Sequence, residues 1–208
     1  MDVIDRLDAV RERWNVLRHP FYLRWSAGTL ERSELAFYAG EYRHAVVALA
    51  EATARAADAT ERPLSAELSR HADEEVAHIS LWDDFAAALG AQTERPARPE
   101  TADCAEAWTA GDDLLERLAV LYAVESAQPA ISQTKLDGLR THYGMGADEP
   151  STAYFAVHSE RDHEHAAQSQ RLLRARAGEG DADRLVDRAE AALRGNWRLL
   201  DGVEAHSG

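Results

Sequence analysis

Apolar residues return at three- and four-residue steps along almost the whole chain, and no stretch flanked by hairpin turns alternates with the two-residue period of a strand. Val3, Ile4, Leu7, Val10, Trp14 and Leu17 make such a stripe over residues 2–18, with Asp2 placed to cap it. Pro20 interrupts the pattern and Gly28 closes a short turn-rich or helical insert, "HPFYLRWSAG". An alanine-rich helix is predicted from about Leu30 to Ala57, carrying Phe37, Tyr38 and Tyr42. Pro63 suits the first turn of the next helix, which should reach Leu89 and stop at Gly90. The segment "AQTERPARPETAD" reads as a loop, and a helix from about Ala105 should bend near Pro129 and continue to Tyr143. After the turn "GMGADEP", Pro150 opens a helix to about Ala177, and after "GEGDAD" a last helix runs to about Val203. Half of this chain alone would be a few helices with an uncovered apolar face. The pattern therefore predicts one all-α domain over residues 1–208, a bundle of about seven helices.

Charge narrows the partners. The net charge of -14 argues against a nucleic-acid surface and against binding to anionic membranes. Cys104 is the only cysteine, so no intramolecular disulfide can form and a reducing, cytoplasmic setting is expected. The first residues carry acids and no apolar run, unlike a signal peptide, and no stretch approaches the ~18 consecutive apolar residues of a membrane span. One oddity stands out. Lys135 is the only lysine, although lysine and arginine together total 23.

The strongest chemical signal is "AVHSERDHEHAAQ". His158, Asp162 and His165 are separated by four and three residues, which places all three in one narrow stripe of a helix. Neutral imidazole and carboxylate are ligands that iron, manganese or zinc accepts. His163 and Glu164 fall off that stripe and read as solvated. In "RHADEEVAHISLW", Glu74 and His78 lie one turn apart, while His71 and Glu75 can share that face, so the choice between Glu74 and Glu75 is open. Glu125 follows the apolar run Leu118 to Val124 and should be drawn inward, where a carboxylate needs a partner or a metal. Glu74, His78, Glu125, His158, Asp162 and His165 together are too many ligands for one catalytic metal with an open position and about right for two. Helical carboxylate proteins build di-iron or iron-manganese centres from such sets, and the implied chemistry is oxidation with O2.

The blocks "HPFYLRWSAGTL", "LAFYAGEYRH", "DEEVAHISLWDDFAAALG", "LYAVESAQPAISQTKLDGL" and "YFAVHSERDHEH" span nearly the whole chain. In them the chain resembles the heme-oxygenase-like di-iron oxidases, and specifically the CADD-type para-aminobenzoate synthases of the TenA/PqqC-like superfamily. The resemblance implies a heme-oxygenase-like bundle holding two metal ions, Fe/Fe or Fe/Mn, on the six residues just named. O2 would be the oxidant and an external reductant would supply electrons. Relatives typically show Glu-x6-His where this chain has Glu74 and His78 four apart, a difference that leaves Glu74 versus Glu75 unsettled.

The resemblance further implies that para-aminobenzoate, a folate precursor, is built from the protein itself. Tyr22 would supply the ring, Lys135 the amino group, and Tyr38 would assist by radical transfer. A further tyrosine often found in the family beside the Glu125 position is Val124 here. Lysine is the residue such a role needs, because a desolvated amine can lose its charge and a guanidinium cannot. Ten residues of helix would leave Lys135 roughly 15 Å from Glu125 unless the bend brings it closer. Alternatives on the same fold are a dimetal oxidase of a free amine, amino acid or fatty acid, or a TenA/PqqC-like metal-free enzyme. The family also leads one to expect a homodimer, with the apolar first and last helices available for pairing.

Overall fold

The computed structural model describes residues 2–61, 64–146, 149–178 and 180–207, and within them every regular element is helical. In chain order these are α1 (Val3–Arg13), a 3-10 turn (Val16–Arg18), α2 (Pro20–Ala27), α3 (Arg32–Asp58), α4 (Leu64–Leu89), α5 (Pro99–Thr109), α6 (Leu114–Glu125), α7 (Gln128–His142), α8 (Pro150–Arg176) and α9 (Ala182–Ser207). The predicted all-α class is the observed one, with more helices than the apolar stripe suggested. Pro63, and Ala147 and Asp148 of the turn expected at 144–150, lie outside the described residues. Among the described residues no helix is long and apolar enough to cross a membrane.

The extra helices come from local breakers whose effect periodicity alone understates. α5 starts inside the stretch expected to be loop, because Pro99 sits in the first turn, where a missing N–H costs nothing. Residues 105–143 are not one bent helix. Gly111 takes φ +138, and Asp113 then caps α6 by accepting from the Glu116 amide at 2.9 Å. At the other end of α6, Pro129 has no N–H to offer the Glu125 carbonyl, so the chain breaks at Ser126 and Ala127 before α7 begins. The broken end is tied down from α1, where the Arg11 guanidinium donates to the Ser126 carbonyl at 2.9 Å.

α6 is the central helix: every residue from Leu118 to Glu125 is buried, so its environment is apolar all round. α8 packs against α4, α6 and α7, α3 against α4, α5 and α6, and α9 closes the bundle against α1, α5 and α6. Ile4, Leu7 and Val10 of α1 and Leu185, Leu193 and Leu200 of α9 are buried inside the chain. The apolar faces that seemed available for pairing two copies are thus already covered.

α2 is fixed at both ends. Its N-terminus is capped by His19 Nδ1, which accepts from the Phe21 amide at 3.1 Å, and Gly28 at φ +67 ends it in the left-handed conformation. Trp25, fully buried, donates from Nε1 to the Lys135 carbonyl at 3.2 Å and so ties α2 to α7. That contact depends on Gly138, where a Cβ would stand 2.5 Å from the indole. Gly138→Ala should therefore displace Trp25 and cost about 1–3 kcal/mol. Urea unfolding should show a lower midpoint with an unchanged slope. An unaltered midpoint would mean that the indole is not seated against residue 138.

Candidate metal centre

α4, α6 and α8 bring seven polar side chains into one buried cluster. His71, Glu75 and His78 come from α4, Glu125 from the end of α6, and His158, Asp162 and His165 from α8. Their residue exposures decide the chemistry: Glu75 1%, Glu125 0%, Asp162 1% and His158 0% are sealed from water. The cluster therefore holds five of the six ligand candidates reached by spacing, together with Glu75 and His71 in place of Glu74. Glu74 faces outward, with its side chain 37% exposed and its carboxylate on Arg161 at 3.0 and 3.1 Å. The reason lies in the periodicity of α4. Leu68, His71, Glu75, His78 and Trp82 fall on its buried stripe, and Glu74 lies 100° away from Glu75.

The two ligand-bearing helices carry the same pattern. His71-x3-Glu75-x2-His78 on α4 matches His158-x3-Asp162-x2-His165 on α8 in spacing. Across the contact the His71 ring stacks on His165 at 3.7 Å and the His78 ring meets His158 edge-on at 4.6 Å, so the helices run in opposite directions. Glu75 lies between the two imidazole pairs. Its Oε1 is 3.3 Å from His78 Nδ1, 3.6 Å from His165 Nδ1 and 3.9 Å from His71 Nε2, and its Oε2 is 3.7 Å from His158 Nε2. Two triads result, His71–Glu75–His165 and Glu75–His78–His158, each with its ligand atoms within 4.8 Å of one another. They share Glu75, which could serve as a ligand in both.

Unmet polar valence is the test of whether metal ions fit here. Both ring nitrogens of His71, His78 Nδ1, His158 Nε2, His165 Nδ1, Glu75 Oε1 and both carboxylate oxygens of Glu125 and Asp162 are buried without a hydrogen-bond partner. Orphaned acceptors and imidazoles converging in one place are costly in a dry interior unless a cation joins them. His158 is further prepared: its Nδ1 lies 2.7 Å from the Tyr154 carbonyl and donates to it, which leaves Nε2 bare toward Glu75. The residues fit a pair of divalent metal ions.

Protonation in the cluster follows from the same crowding. Burial works to lower the His71 pKa, but the Glu125 carboxylate 2.8 Å away and Glu75 outweigh it and push it up to about 9. Burial works to raise Glu75, yet His158 and His78 hold it well below the usual carboxylate range. For Glu125 the order reverses, and full burial raises it despite His71.

Beyond the His78–His158 end lies an aromatic chamber. Trp82 is one turn beyond His78, and Tyr154 and Phe155 are one turn before His158. The break after Glu125 turns α7 so that Gln128, whose Nε2 donates to the Tyr42 hydroxyl at 3.4 Å, and Lys135 face these rings. Lys135 Nζ sits 4.6 Å from the ring centre of Tyr42, 5.2 Å from Phe155, 5.4 Å from Tyr38 and Trp82, and 5.7 Å from Tyr22. Among the described residues no carboxylate pairs with it, and burial alone lowers its pKa to about 7. The Tyr22 and Tyr38 hydroxyls lie 3.4 Å apart, and both phenols are raised well above their ordinary value, chiefly by burial. The structure thus brings Tyr22, Tyr38 and Lys135 together. Tyr42, Trp82, Tyr154 and Phe155 complete these surroundings; they stand in the blocks that carry the resemblance, but the resemblance assigns them no role. Val124 lines a separate cavity of about 120 Å³ with Trp14, Ile131 and Leu193.

Residues 36–197 match a protein family described as "Iron-containing redox enzyme". The chain is 32% identical to the 4-aminobenzoate synthase of Chlamydia muridarum over 215 residues, covering 97% of this chain and 89% of that one. Identity to the 4-aminobenzoate synthase of Chlamydia trachomatis is also 32%, covering 97% and 91%. The fold is similar to that of a TenA homologue from P. horikoshii, with a TM-score of 0.80, 19% identity and coverage of 98% of both chains.

The buried amine has a measurable cost. Folded Lys135 sheds its proton near pH 7, while the ordinary value is 10.5, so between these limits the unfolded chain binds more protons and stability rises with pH. Below that window the full penalty of burying a charge applies. Lys135→Met should therefore stabilise the protein by on the order of a few kcal/mol near neutral pH or below, and by less as pH rises toward 10. Melting temperatures of both proteins across this range test it. A difference that does not change with pH would show that the amine is not forced to ionise on unfolding.

Proposed function

This chain belongs to the iron-containing redox enzymes with a heme-oxygenase-like fold, and from that membership we propose that it forms 4-aminobenzoate in an O2-dependent reaction, using its own Tyr22 and Lys135. The observation that carries this reading is the place of the only lysine: fully buried, unpaired with any described carboxylate, and enclosed by the rings of Tyr22, Tyr38 and Tyr42 beside the carboxylate cluster. A structural lysine would keep its charge at the surface.

Two metal ions, Fe/Fe or Fe/Mn, held by the two triads with Glu125 and Asp162 completing the set, would activate O2 with electrons from an external reductant. The protein side chains supply the rest. Burial lowers the Lys135 pKa to about 7, so near neutral pH a substantial share of the amine is uncharged, with its lone pair free to act as a nucleophile. Burial also keeps the Tyr22 phenol protonated, so oxidation of its ring must remove the proton as well, and the Tyr38 hydroxyl at 3.4 Å is the near group that can pass it on. The aromatic walls exclude water that would otherwise protonate the amine. A TenA-like metal-free enzyme on this fold would need a reactive cysteine, but Cys104 is fully buried on α5 and its thiol is pushed up by burial.

Intact-protein mass spectrometry before and after reduction, iron loading and exposure to O2 tests the proposal. The expected result is loss of the Tyr22 side-chain mass with 4-aminobenzoate in the supernatant. Lys135→Met should bind the same amount of metal and release no product. An unchanged protein mass accompanied by oxidation of an added amine or amino acid would replace this reading with that of an oxidase of free substrates.

A further inference from the structure

We propose that divalent metal ions reach the buried cluster through the cleft above His71 and His165, and that Glu74 receives the incoming cation in exchange for Arg161. This rests on the dimetal reading above. Among the seven clustered side chains, only His71 and His165 line a described surface cleft, of about 260 Å³, whose rim includes Glu67, Glu74, Arg161 and Arg171. Glu75, Glu125, Asp162 and His158 are sealed behind them. The floor carries two imidazoles: His71 is 3% exposed, its Nε2 2.8 Å from Glu125 and its Nδ1 without a hydrogen bond, and His165 is 7% exposed with no hydrogen bond at Nδ1.

The His165 ring is the partition between an outer and an inner carboxylate. Its Nε2 lies 3.2 Å from Glu74 on the cleft side, and its Nδ1 lies 3.6 Å from Glu75 on the cluster side. The two acids are consecutive on α4, so a cation passing from one to the other travels past a single imidazole. Arg161 holds the outer carboxylate at 3.0 Å and neutralises it. Arg161 also has a second acid within reach, Glu164 at 3.5 Å on its own helix. It can therefore leave Glu74 without losing its ion pair. Glu67 is already taken by Arg171 at 2.7 Å, which leaves Glu74 as the rim acid in contact with a cluster histidine.

The test is the rate at which metal-free protein takes up cobalt(II) under anaerobic conditions, followed by its visible absorption in a stopped-flow instrument at low and high salt. Glu74→Gln should load roughly tenfold more slowly at low salt and reach the same final occupancy as the unaltered chain. Arg161→Gln should load faster, and the double variant should behave like Glu74→Gln alone. Unaltered rates in both single variants would place the path elsewhere. A lower final occupancy in Glu74→Gln would make Glu74 a ligand and overturn its role as a relay. If the unaltered chain binds no cobalt, the dimetal reading itself fails, and this outcome is distinct from the other two.

Discussion

Three carboxylates, Glu75, Glu125 and Asp162, sit at the junction of α4, α6 and α8 with no lysine or arginine paired to them among the described residues. Burying one such charge without compensation costs several kcal/mol, and burying three together adds mutual repulsion. Four imidazoles offset part of this, as the raised His71, His158 and His165 show. Divalent cations would complete the compensation and also satisfy the orphaned oxygens. The surrounding fold is arranged to tolerate this cost: α6 is buried all round from Leu118 to its last residue, and the break enforced by Pro129 sets Glu125 at a helix end.

The solitary lysine follows from the same electrostatics. A free ammonium close to Glu75 or Asp162 would pair with it and occupy a position that a metal ion needs. Trp82 and Phe155 stand around Lys135 in that space, and the amine instead faces rings. Aromatic faces attract a cation only weakly compared with the loss of water around it, so burial dominates and the amine tends to neutrality. Arginine at this position would remain charged, which explains why a chain built otherwise on arginine keeps one lysine here.

Much of this was legible in the sequence. His158, Asp162 and His165 could be read because a helix returns to the same face after three and four residues, and the family match agrees with the iron chemistry they imply. Glu125 could be read because an acid closing an apolar run has nowhere polar to go. Glu74 attracted notice through its one-turn spacing from His78, but burial is set by the whole stripe of α4, on which Leu68, Glu75 and Trp82 fall and Glu74 does not. Tyr42, Trp82 and Phe155 could be seen but not assigned a place at the site, since aromatic residues at helical spacing are what any core contains. The separation of α5, α6 and α7 depended on Gly111 and on the missing amide of Pro129, both local backbone effects that apolar period does not register.

The signal that would have decided Glu75 was present as a second copy of the pattern. His-x3-Glu-x2-His on α4 repeats the spacing of His-x3-Asp-x2-His on α8, and two helices running in opposite directions must then set histidine against histidine, with Glu75 between the two pairs. That arrangement is nearly symmetric, and what lies at its ends breaks the symmetry. Glu125 approaches the His71–His165 end, where the cleft opens to solvent, and adds negative charge to it. The His78–His158 end meets Trp82, Tyr154 and Phe155 and has no added acid of that kind. Two cations held here would therefore meet different surroundings, Glu125 and the solvent cleft on the side of His71 and His165, and aromatic rings on the side of His78 and His158.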